Sequence, residues 1–423
     1  MRLKLSAGAM GALLLAPLPA LAAPTFTEIA REFTDGFVWM NANVRPALAD
    51  DGTVVFAGSD AYDVYEGQVL FSGDGGPLSA RDASSYGLSN LKSLRVNDLG
   101  QIVFVADRSS GGSTYRGAYA TSTMGSAFST LYQGLYPGAW PSDYVSSNIA
   151  LSPNGTVAFA SIVNGSGAIY RGPVAGPISA LRMGSGVFYN LRDLDVNDAG
   201  SVAVQMEYTD PTAGLSRGIL LFDTPGQTLW DIDTAIERLS VGSQPLPSIN
   251  QSGQVAFVLS FNATLLFFDP PGVASPKPAV TMNLTPGIYI STPTPWGEPS
   301  ELVQIVGTAG PYASFGRVEL NDSGQVAFEA TLDAGGGGIF TGPDPVAHKV
   351  VSPGDIVGPA LFSWLKMGEL NNAGELSLLT SDWYSTDRQV WRVGNLPRPR
   401  RIKPIIWPWP RLPLAPVGKL RLK

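Results

Sequence analysis

Residues 320–328 read Leu320-Asn321-Asp322-Ser323-Gly324-Gln325-Val326-Ala327-Phe328, the clearest copy of a phrase that occurs seven times in the chain. Each copy has an aliphatic residue, a turn that ends in glycine and a hydrophobic run. The repeat glycines recur at a nearly even spacing, with one longer gap before the sixth, and they are Gly52, Gly100, Gly155, Gly200, Gly253, Gly324 and Gly374. A repeat of about 50 residues is typical of a propeller or a solenoid rather than of one continuous core.

Each repeat predicts a β-hairpin. Apolar residues stand four residues before the glycine and two and four residues after it, so they alternate along both sides of the turn. The residue between the last two apolar positions is small in most copies, as in Ala158, Ala203, Ala256 and Ala327. A strand that is apolar on both faces, with little room on one of them, predicts a position between two neighbouring sheets.

The remainder of each repeat predicts two more strands. A glycine followed by an apolar pair marks the third strand, as at Gly338-Ile339-Phe340, and a weaker fourth strand such as Lys349-Val350-Val351 precedes the next repeat. Four short strands in about 50 residues make one propeller blade. We therefore predict an all-β fold, a seven-bladed β-propeller of four-stranded antiparallel blades. A solenoid is the alternative, but it requires polar capping repeats, and the sequence shows none.

The N-terminal strand is predicted to close this ring. Residues 26–33 form a strand that precedes the first hairpin, whereas the last repeat has a third strand at residues 389–392 and no clear fourth. Ile29 precedes Gly52 by the same separation in sequence as that by which Val351 precedes Gly374. Residues 26–33 therefore occupy the register of a fourth strand, and pairing with residues 389–392 would remove an open sheet edge.

The two ends of the chain differ from its body. Residues 1–22 combine a basic start, an apolar stretch and a small-residue cleavage site, which predicts a signal peptide. Residues 23–395 are assigned to the propeller, and residues 396–423 to a disordered tail rich in proline, arginine and tryptophan. The mature protein is expected to be secreted, periplasmic or attached to the cell surface. The chain contains no cysteine, so neither disulfides nor thiolate chemistry are available to it.

The two ends of the chain also differ from its body in charge. The chain carries a net charge of −7, but residues 23–397 alone carry −17, because the signal segment holds two basic residues, the segment from Arg398 onward holds eight, and neither holds an acidic one. An acidic body argues against nucleic acid as a partner, since phosphate binding needs positive charge. The basic tail, which includes Trp407 and Trp409, suits contact with an anionic membrane surface. We expect a monomer.

The repeat phrase Asn-Asp-x-Gly-x-Val-Ala-Phe, followed by Gly-Ile-Phe, resembles that of a class of exported bacterial tandem-repeat proteins. The resemblance covers residues 26–393 and implies a β-propeller and export. Many members end in a sorting signal made of a Pro-Glu-Pro-like motif, an apolar helix and a basic cluster. This chain instead continues Leu396-Pro397-Arg398-Pro399-Arg400-Arg401, without the helix. The resemblance supplies no catalytic residues.

The sequence contains few candidate catalytic residues. His348 is the single histidine, so a Ser-His-Asp mechanism would have to use it, and it stands at the start of a predicted outer strand, where a surface role is expected. The Asn-Asp pairs of the turns offer one carboxylate each and are interpreted as turn residues rather than calcium ligands. We predict no metal site and no cofactor. Paired carboxylates in the central channel remain an alternative, although the sequence does not identify them.

Aromatic residues gather where the chain enters the first strand of several blades. In a propeller these connections lie on the face that usually binds ligands, and aromatic rings there suit stacking on sugars or anchoring of a protein. The predicted ligand-binding residues are Trp39, Trp140, Tyr189, Trp364 and, in a proline-rich insertion, Trp296. The alternative is that such rings pack between blades.

These observations predict an exported, non-catalytic binding or scaffolding module for a surface polysaccharide or a protein. The alternative is a propeller hydrolase or lyase that acts on polysaccharide through channel carboxylates.

Overall fold

The computed structural model describes residues 23–33, 39–59, 69–123, 127–135, 144–163, 166–183, 188–210, 214–222, 228–234, 247–260, 263–267, 280–292, 301–382 and 387–399. Within these ranges the fold is a β-propeller of small antiparallel sheets, and the one helical segment is the 3₁₀ turn Ser84–Tyr86. Predicted Trp140 and Trp296, the signal segment and residues 400–423 lie outside the described residues. No helix of the described part is long and apolar enough to cross a membrane.

The strands of the first half of the chain are β1 (Thr25–Arg31), β2 (Trp39–Met40), β3 (Ala47–Leu48), β4 (Val54–Ser59), β5 (Val69–Gly73), β6 (Ser79–Asp82), β7 (Leu88–Val96), β8 (Gln101–Ser110), β9 (Ser113–Ser122), β10 (Ser129–Leu135), β11 (Tyr144–Leu151), β12 (Thr156–Val163), β13 (Ser166–Pro173), β14 (Ser179–Met183), β15 (Phe188–Val196) and β16 (Val202–Asp210). The strands of the second half are β17 (Gly214–Phe222), β18 (Thr228–Thr234), β19 (Ser248–Ile249), β20 (Val255–Leu259), β21 (Ala263–Phe267), β22 (Val280–Leu284), β23 (Gly287–Thr292), β24 (Glu301–Gly307), β25 (Tyr312–Leu320), β26 (Val326–Leu332), β27 (Gly337–Phe340), β28 (Lys349–Val351), β29 (Ile356–Val357), β30 (Ala360–Leu370), β31 (Leu376–Asp382) and β32 (Arg388–Gly394).

These strands form seven antiparallel sheets in the described part of the chain, which we number in chain order. They are sheet I (β2–β6), sheet II (β7–β10), sheet III (β11–β14), sheet IV (β15–β18 with β21 and β22), sheet V (β19, β20, β23 and β24), sheet VI (β25–β28) and sheet VII (β29–β32 with β1). Each sheet contains one copy of the repeat phrase, at the turn between two consecutive strands that pair with each other.

The repeat phrase folds as the hairpin that its pattern predicts. All seven repeat glycines have a left-handed backbone, with φ between +68° and +91°, and the amide of each donates to the carbonyl three residues earlier. A side chain with a Cβ is strained in this conformation, which explains why glycine stands in every copy. The apolar residues two, three and four positions after each glycine are buried wherever they are hydrophobic, so both faces of the second strand are covered as predicted.

Neighbouring sheets bury apolar faces against each other. Sheet VI packs on sheet VII through residues such as Ile339 and Leu376, and sheet VII packs on sheet I through Ile29, Val390 and Phe56. Within five sheets an aromatic residue four positions after the repeat glycine also contacts an aromatic residue of the third strand. These pairs, with ring centroids 5.4–6.1 Å apart, are Phe56–Phe71, Phe104–Tyr119, Phe159–Tyr170, Phe257–Tyr289 and Phe328–Phe340.

The N-terminal strand β1 pairs antiparallel with β32, from Thr25 opposite Gly394 to Arg31 opposite Gln389. This is the partner that its register predicted. Glu32, only 2% exposed, follows β1 and accepts hydrogen bonds from the amides of Met40 and Arg388. The segment after β1 is therefore bonded to strands of sheets I and VII at once.

The prediction of uniform four-stranded blades is wrong for sheets I and VII, which have five strands each, and for sheet IV, which has six. The hairpin β21–β22 leaves sheet V after β20, and β21 pairs with β18, which extends sheet IV to six strands. This hairpin accounts for part of the unusually long gap between Gly253 and Gly324. An exposed edge strand offers unpaired backbone groups to any available strand, and here the neighbouring repeat supplies it.

Candidate functional site

The repeat turns form a continuous circuit of hydrogen bonds around the inner end of the sheets. Each turn donates a backbone or side-chain N–H to an oxygen of the next turn, including the step from the last repeat to the first. The seven bonds are Asp50 N to Asp98 Oδ1 (2.7 Å), Asn97 Nδ2 to Ser152 O (3.3 Å), Asn154 N to Asp198 Oδ1 (2.8 Å), Asn197 Nδ2 to Asn250 O (3.2 Å), Asn250 Nδ2 to Asn321 O (3.4 Å), Asn321 Nδ2 to Asn371 O (3.1 Å) and Asn371 Nδ2 to Ala49 O (2.9 Å). The Asn and Asp side chains of the repeat thus bond to backbone groups of their own turn and of its neighbour.

Inside this circuit lies a cavity of about 120 Å³. In five of the seven copies the residue five positions before the repeat glycine lines this cavity, and that position varies widely among the copies. In four of the seven sheets this residue is charged: Arg95, Asp195, Glu319 and Glu369. Arg317 adds a second guanidinium to the lining.

Four of these five charged residues form ion pairs in the cavity, which we call the channel. Arg95 Nε lies 2.8 Å from Glu369 Oε1, and Arg317 forms an ion pair with Glu319. Asp195 accepts hydrogen bonds from the amides of Ile249 and Val196, both at 2.9 Å. These three carboxylates stand against two guanidinium groups, and Asp50, Asp98 and Asp322 of the repeat turns add further carboxylates to the lining, so negative charge is in excess when all are ionised.

Burial of this excess charge shifts the acids toward their neutral forms. Desolvation raises the pKa of Glu369 to about 7, although Arg95 acts in the opposite direction. Desolvation likewise raises the pKa of Asp195 to about 6, against the hydrogen bond from Ile249. Raised pKa values of this kind make carboxyl groups able to hold a proton near neutral pH.

A second ionic layer adjoins the channel. Arg45 of sheet I reaches Glu329 of sheet VI, with Arg45 Nη1 2.7 Å from Glu329 Oε1, and also donates to the carbonyl of Met367 in sheet VII. Although burial acts to raise it, the ion pair with Arg45 holds the pKa of Glu329 below its ordinary value. This carboxylate also accepts a hydrogen bond from the Met367 amide at 2.8 Å. Glu329 therefore serves to tie three sheets together.

On the other side of this layer, a cleft of about 380 Å³ lies between sheets VI and VII. Trp364, 39% exposed, lines it together with Phe315 and Leu365. Three hydroxyl side chains line the same cleft: Ser314 Oγ lies 2.6 Å from Thr331 Oγ1 on sheet VI, and Ser363 Oγ bonds to Ser381 on sheet VII. An exposed aromatic ring thus shares the cleft with three hydroxyl groups.

The other predicted ligand-binding residues are placed only in part. Trp39 lies in β2 and Tyr189 in β15, where its backbone pairs with Glu207, but their side chains lie outside the description, as do Trp140 and Trp296 entirely. Their assignment as ligand-binding residues stays a prediction. Two further rings of the predicted aromatic group, Tyr312 and Phe362, are fully buried and pack in the core.

His348 takes a structural position. Its Nδ1 accepts a hydrogen bond from the amide of Asp344 at 3.1 Å, and its own amide donates to the Asp344 carbonyl. Partial burial lowers the pKa of His348, so the ring is neutral near pH 7. Within the described residues, no group of three or more His, Asp or Glu side chains is arranged to hold a metal ion.

The sequence interpretation overlooked the channel column. Four charged residues occupy the same repeat position, one residue before the aliphatic position that predicted the hairpin. Alignment of the seven copies on their glycines would have revealed this column, because charged residues seldom stand inside a strand that is buried between sheets unless they face a cavity or a partner. The column would then have identified the carboxylates that the sequence interpretation left unnamed.

No protein-family model and no curated protein matches the chain. Among solved structures, similarity is found to the oligogalacturonate lyase of Vibrio parahaemolyticus, at 8% identity and a TM-score of 0.42, over 88% of this chain and 97% of that chain. The β-propeller domain of the trilobed protease of Pyrococcus furiosus matches at 8% identity and a TM-score of 0.39, over 72% and 92%. Regucalcin of Agrobacterium tumefaciens, a calcium-binding protein, matches at 11% identity and a TM-score of 0.33, over 72% and 85%. Similarities of this size carry no information about the ligand or activity of this chain.

Proposed function

We propose that this protein is an exported binding or scaffolding module, built as a closed seven-bladed β-propeller, and that the cleft beside Trp364 is part of its ligand site. The ligand class that we propose is a polysaccharide of the cell surface, with a surface protein as the alternative occupant. Secretion to the periplasm or the cell surface, a monomeric state and contact of the basic tail with a membrane surface belong to the same proposal.

Four observations support a closed ring of seven blades. The seven sheets each carry one repeat, β1 pairs with β32, and the apolar faces of sheets VII and I bury each other. The bond from Asn371 Nδ2 to the Ala49 carbonyl has the same form as those between consecutive repeats. A closed ring also leaves no unpaired edge at the junction of the two chain ends.

The geometry of the cleft is the observation that carries the binding proposal. Pockets that hold small molecules typically measure about 300–1,000 Å³, and the cleft, at about 380 Å³, falls within that range. Sugar rings present apolar faces edged by hydroxyl groups, so an exposed indole that shares the cleft with Ser314, Thr331 and Ser363 offers stacking and hydrogen bonds together. Trp364 is then expected to supply most of the affinity.

Binding of a polysaccharide panel tests the proposal. Mature protein is incubated with immobilised bacterial and plant polysaccharides, and the affinity for any retained polymer is compared between the natural chain and Trp364→Ala. We expect a loss of about tenfold or more. The matched control is Tyr86→Ala, which removes another exposed aromatic ring, 42% exposed and far along the chain. Equal affinity of the two variants, or retention of no polysaccharide and no surface protein, would contradict the proposal.

A polysaccharide hydrolase or lyase is the second candidate, and the channel acids favour it. Asp195 and Glu369 have pKa values raised to about 6 and about 7, as acid catalysts often do. Against it, each acid already bonds to an arginine or to backbone amides, and the channel cavity has about a third of the volume of the cleft. Release of oligosaccharides, detected by mass spectrometry and lost in Asp195→Asn, would establish the enzyme instead of the binding module.

A further inference from the structure

A second cavity, of about 360 Å³, lies between sheets V and VI at the opposite end of the strands from the Trp364 cleft. Its walls are aliphatic, formed by Val303 and Ile305 of β24 and Val326 of β26. The repeat turn of sheet VI and the segment that follows β32 complete the lining. The proposed function makes no use of this cavity.

Gln325 lines the cavity with an amide that has no partner. The side chain is 9% exposed, and neither its Nε2 nor its Oε1 forms a hydrogen bond. The glutamines at the same repeat position are paired: Gln101 Oε1 accepts from Asn97 Nδ2, and Gln254 Nε2 donates to Thr292 Oγ1. A buried amide without a partner is costly and rare, so the cavity contains unused hydrogen-bonding capacity.

Arg398 provides a positive charge at the same place. The segment after β32 crosses sheet VI, where the buried Leu396 packs in the core and Thr341 Oγ1 donates to the Pro397 carbonyl at 2.6 Å. This contact places Arg398 on the lining, with its side chain exposed to solvent. A Cβ on Gly374, in the neighbouring repeat turn of sheet VII, would stand 3.0 Å from Gln325 Oε1 and 3.3 Å from Arg398 Nη2, so the amide oxygen and the guanidinium group lie near each other at the edge of the cavity.

We propose that this cavity binds a small monocarboxylate with an apolar body. Arg398 donates hydrogen bonds to the carboxylate, a half-turn of the unpartnered Gln325 amide brings Nε2 to donate to the same group, and the apolar body lies against Val303, Ile305 and Val326. A guanidinium group matches the geometry of a carboxylate and binds it with charge-assisted hydrogen bonds. Burial of an alkyl chain against the aliphatic walls removes its apolar surface from water, which favours binding. An amine with the same alkyl chain would be repelled by Arg398.

Calorimetric titration of the full mature chain with sodium octanoate tests this site, with octylamine as the probe of opposite charge. We expect octanoate to bind at one site and octylamine not to bind there. Arg398→Gln should weaken octanoate binding about tenfold or more, since it removes charged hydrogen bonds. Arg108→Gln, which removes the same charge from β8 of sheet II, is the matched control and should bind like the natural chain.

Two further variants separate this site from others. Gln325→Leu should also weaken octanoate binding, yet its melting temperature should not fall, because a buried amide without a partner is replaced by an apolar group. Trp364→Ala should leave octanoate binding unchanged, so this site and the proposed polysaccharide site fail independently. Absence of octanoate binding, equal affinities in Arg398→Gln and Arg108→Gln, or loss of binding in Trp364→Ala would each overturn the proposal.

Discussion

Two sets of positions lie within a few residues of each other in every repeat: the turn layer, which is the Asn-Asp-x-Gly turn, and the channel layer, which is the position five residues before the glycine. The two layers differ in how uniform their residues are. In the turn layer most copies use Asn, Asp or Ser to bond to their own backbone and to the next turn. At the position five residues before the glycine, charged residues such as Arg95 and Glu369 line the cavity, whereas Ala47 and Ala150 at the same position are buried in the apolar core. Repetition therefore marks the positions that build the propeller, and divergence marks the positions where one sheet differs from another in chemistry.

The two layers also differ in the free energy of burying their side chains. The side chains of the turn layer are neutral or accept backbone hydrogen bonds, so their burial is compensated. The channel layer buries three carboxylates beside two guanidinium groups, and its excess charge is relieved by raising the pKa values of Asp195 and Glu369. We expect the turn layer to stabilise the fold and the channel layer to destabilise it at high pH.

The largest effect is expected from deleting residues 23–34, which removes β1 from the junction of sheets VII and I. This deletion exposes apolar surface around Val390 that Ile29 and Ala30 cover, and removes the buried Glu32 that bonds to both sheets. Loss of Ile29 alone should cost about 2–5 kcal/mol, so the melting temperature should fall sharply. Deletion of residues 400–423 is the control, and an unchanged melt in both truncations would contradict the role given to β1.

Asp195→Asn should change the pH dependence of stability. The pKa of Asp195 is raised from an ordinary 3.8 to about 6 in the folded protein. The neutral form therefore favours folding, and this contribution is fully present below about pH 4 and is lost as the pH rises through about 6. Asn keeps the neutral state, so the variant should exceed the natural chain by roughly 2–3 kcal/mol at pH 8 and by little at pH 4.

Chemical denaturation at a series of pH values measures this effect. Asp333→Asn, which neutralises an exposed carboxylate, is the matched control and should stay within about 0.5 kcal/mol of the natural chain at every pH. A variant Asp195→Asn that is less stable than the natural chain at pH 8 would show that the ionised carboxylate is required by its hydrogen bonds to Ile249 and Val196.

A smaller effect on stability compares the junction of sheets VII and I, where the chain ends meet, with the internal junction of sheets VI and VII. The Oδ1 atoms of Asn321 and Asn371 each accept from the amide four residues later, and each side chain makes one further bond within its turn, to Ser323 and Glu375 respectively. Their Nδ2 groups reach the Asn371 and Ala49 carbonyls, respectively. Each substitution to Ala should cost about 1–3 kcal/mol in the free energy of unfolding, and the two costs should agree. A clearly smaller cost for Asn371→Ala would indicate that sheets VII and I separate in solution.

The repeat made much of the fold predictable. The left-handed glycine, the apolar positions around it and the register of residues 26–33 all follow from local periodicity. The hairpin β21–β22 was not predictable, because it lies outside the repeat and pairs with a strand of another sheet. The surroundings of the Trp364 cleft and of the Gln325 cavity were not predictable either, because they depend on how separate sheets meet. The position of Trp364 in its repeat was enough to predict it as a binding residue, but not to predict its neighbours or the unpaired amide of Gln325.

The most direct test of a closed ring uses the absence of cysteine from the chain. Thr25 lies opposite Gly394, and a Cβ on Gly394 would stand 3.0 Å from Thr25 Oγ1, a separation compatible with a disulfide. We predict that Thr25→Cys with Gly394→Cys forms one intramolecular disulfide under mild oxidation and raises the melting temperature relative to the reduced form. Free thiols, or disulfide-linked dimers at low protein concentration, would contradict a ring closed by the N-terminal strand.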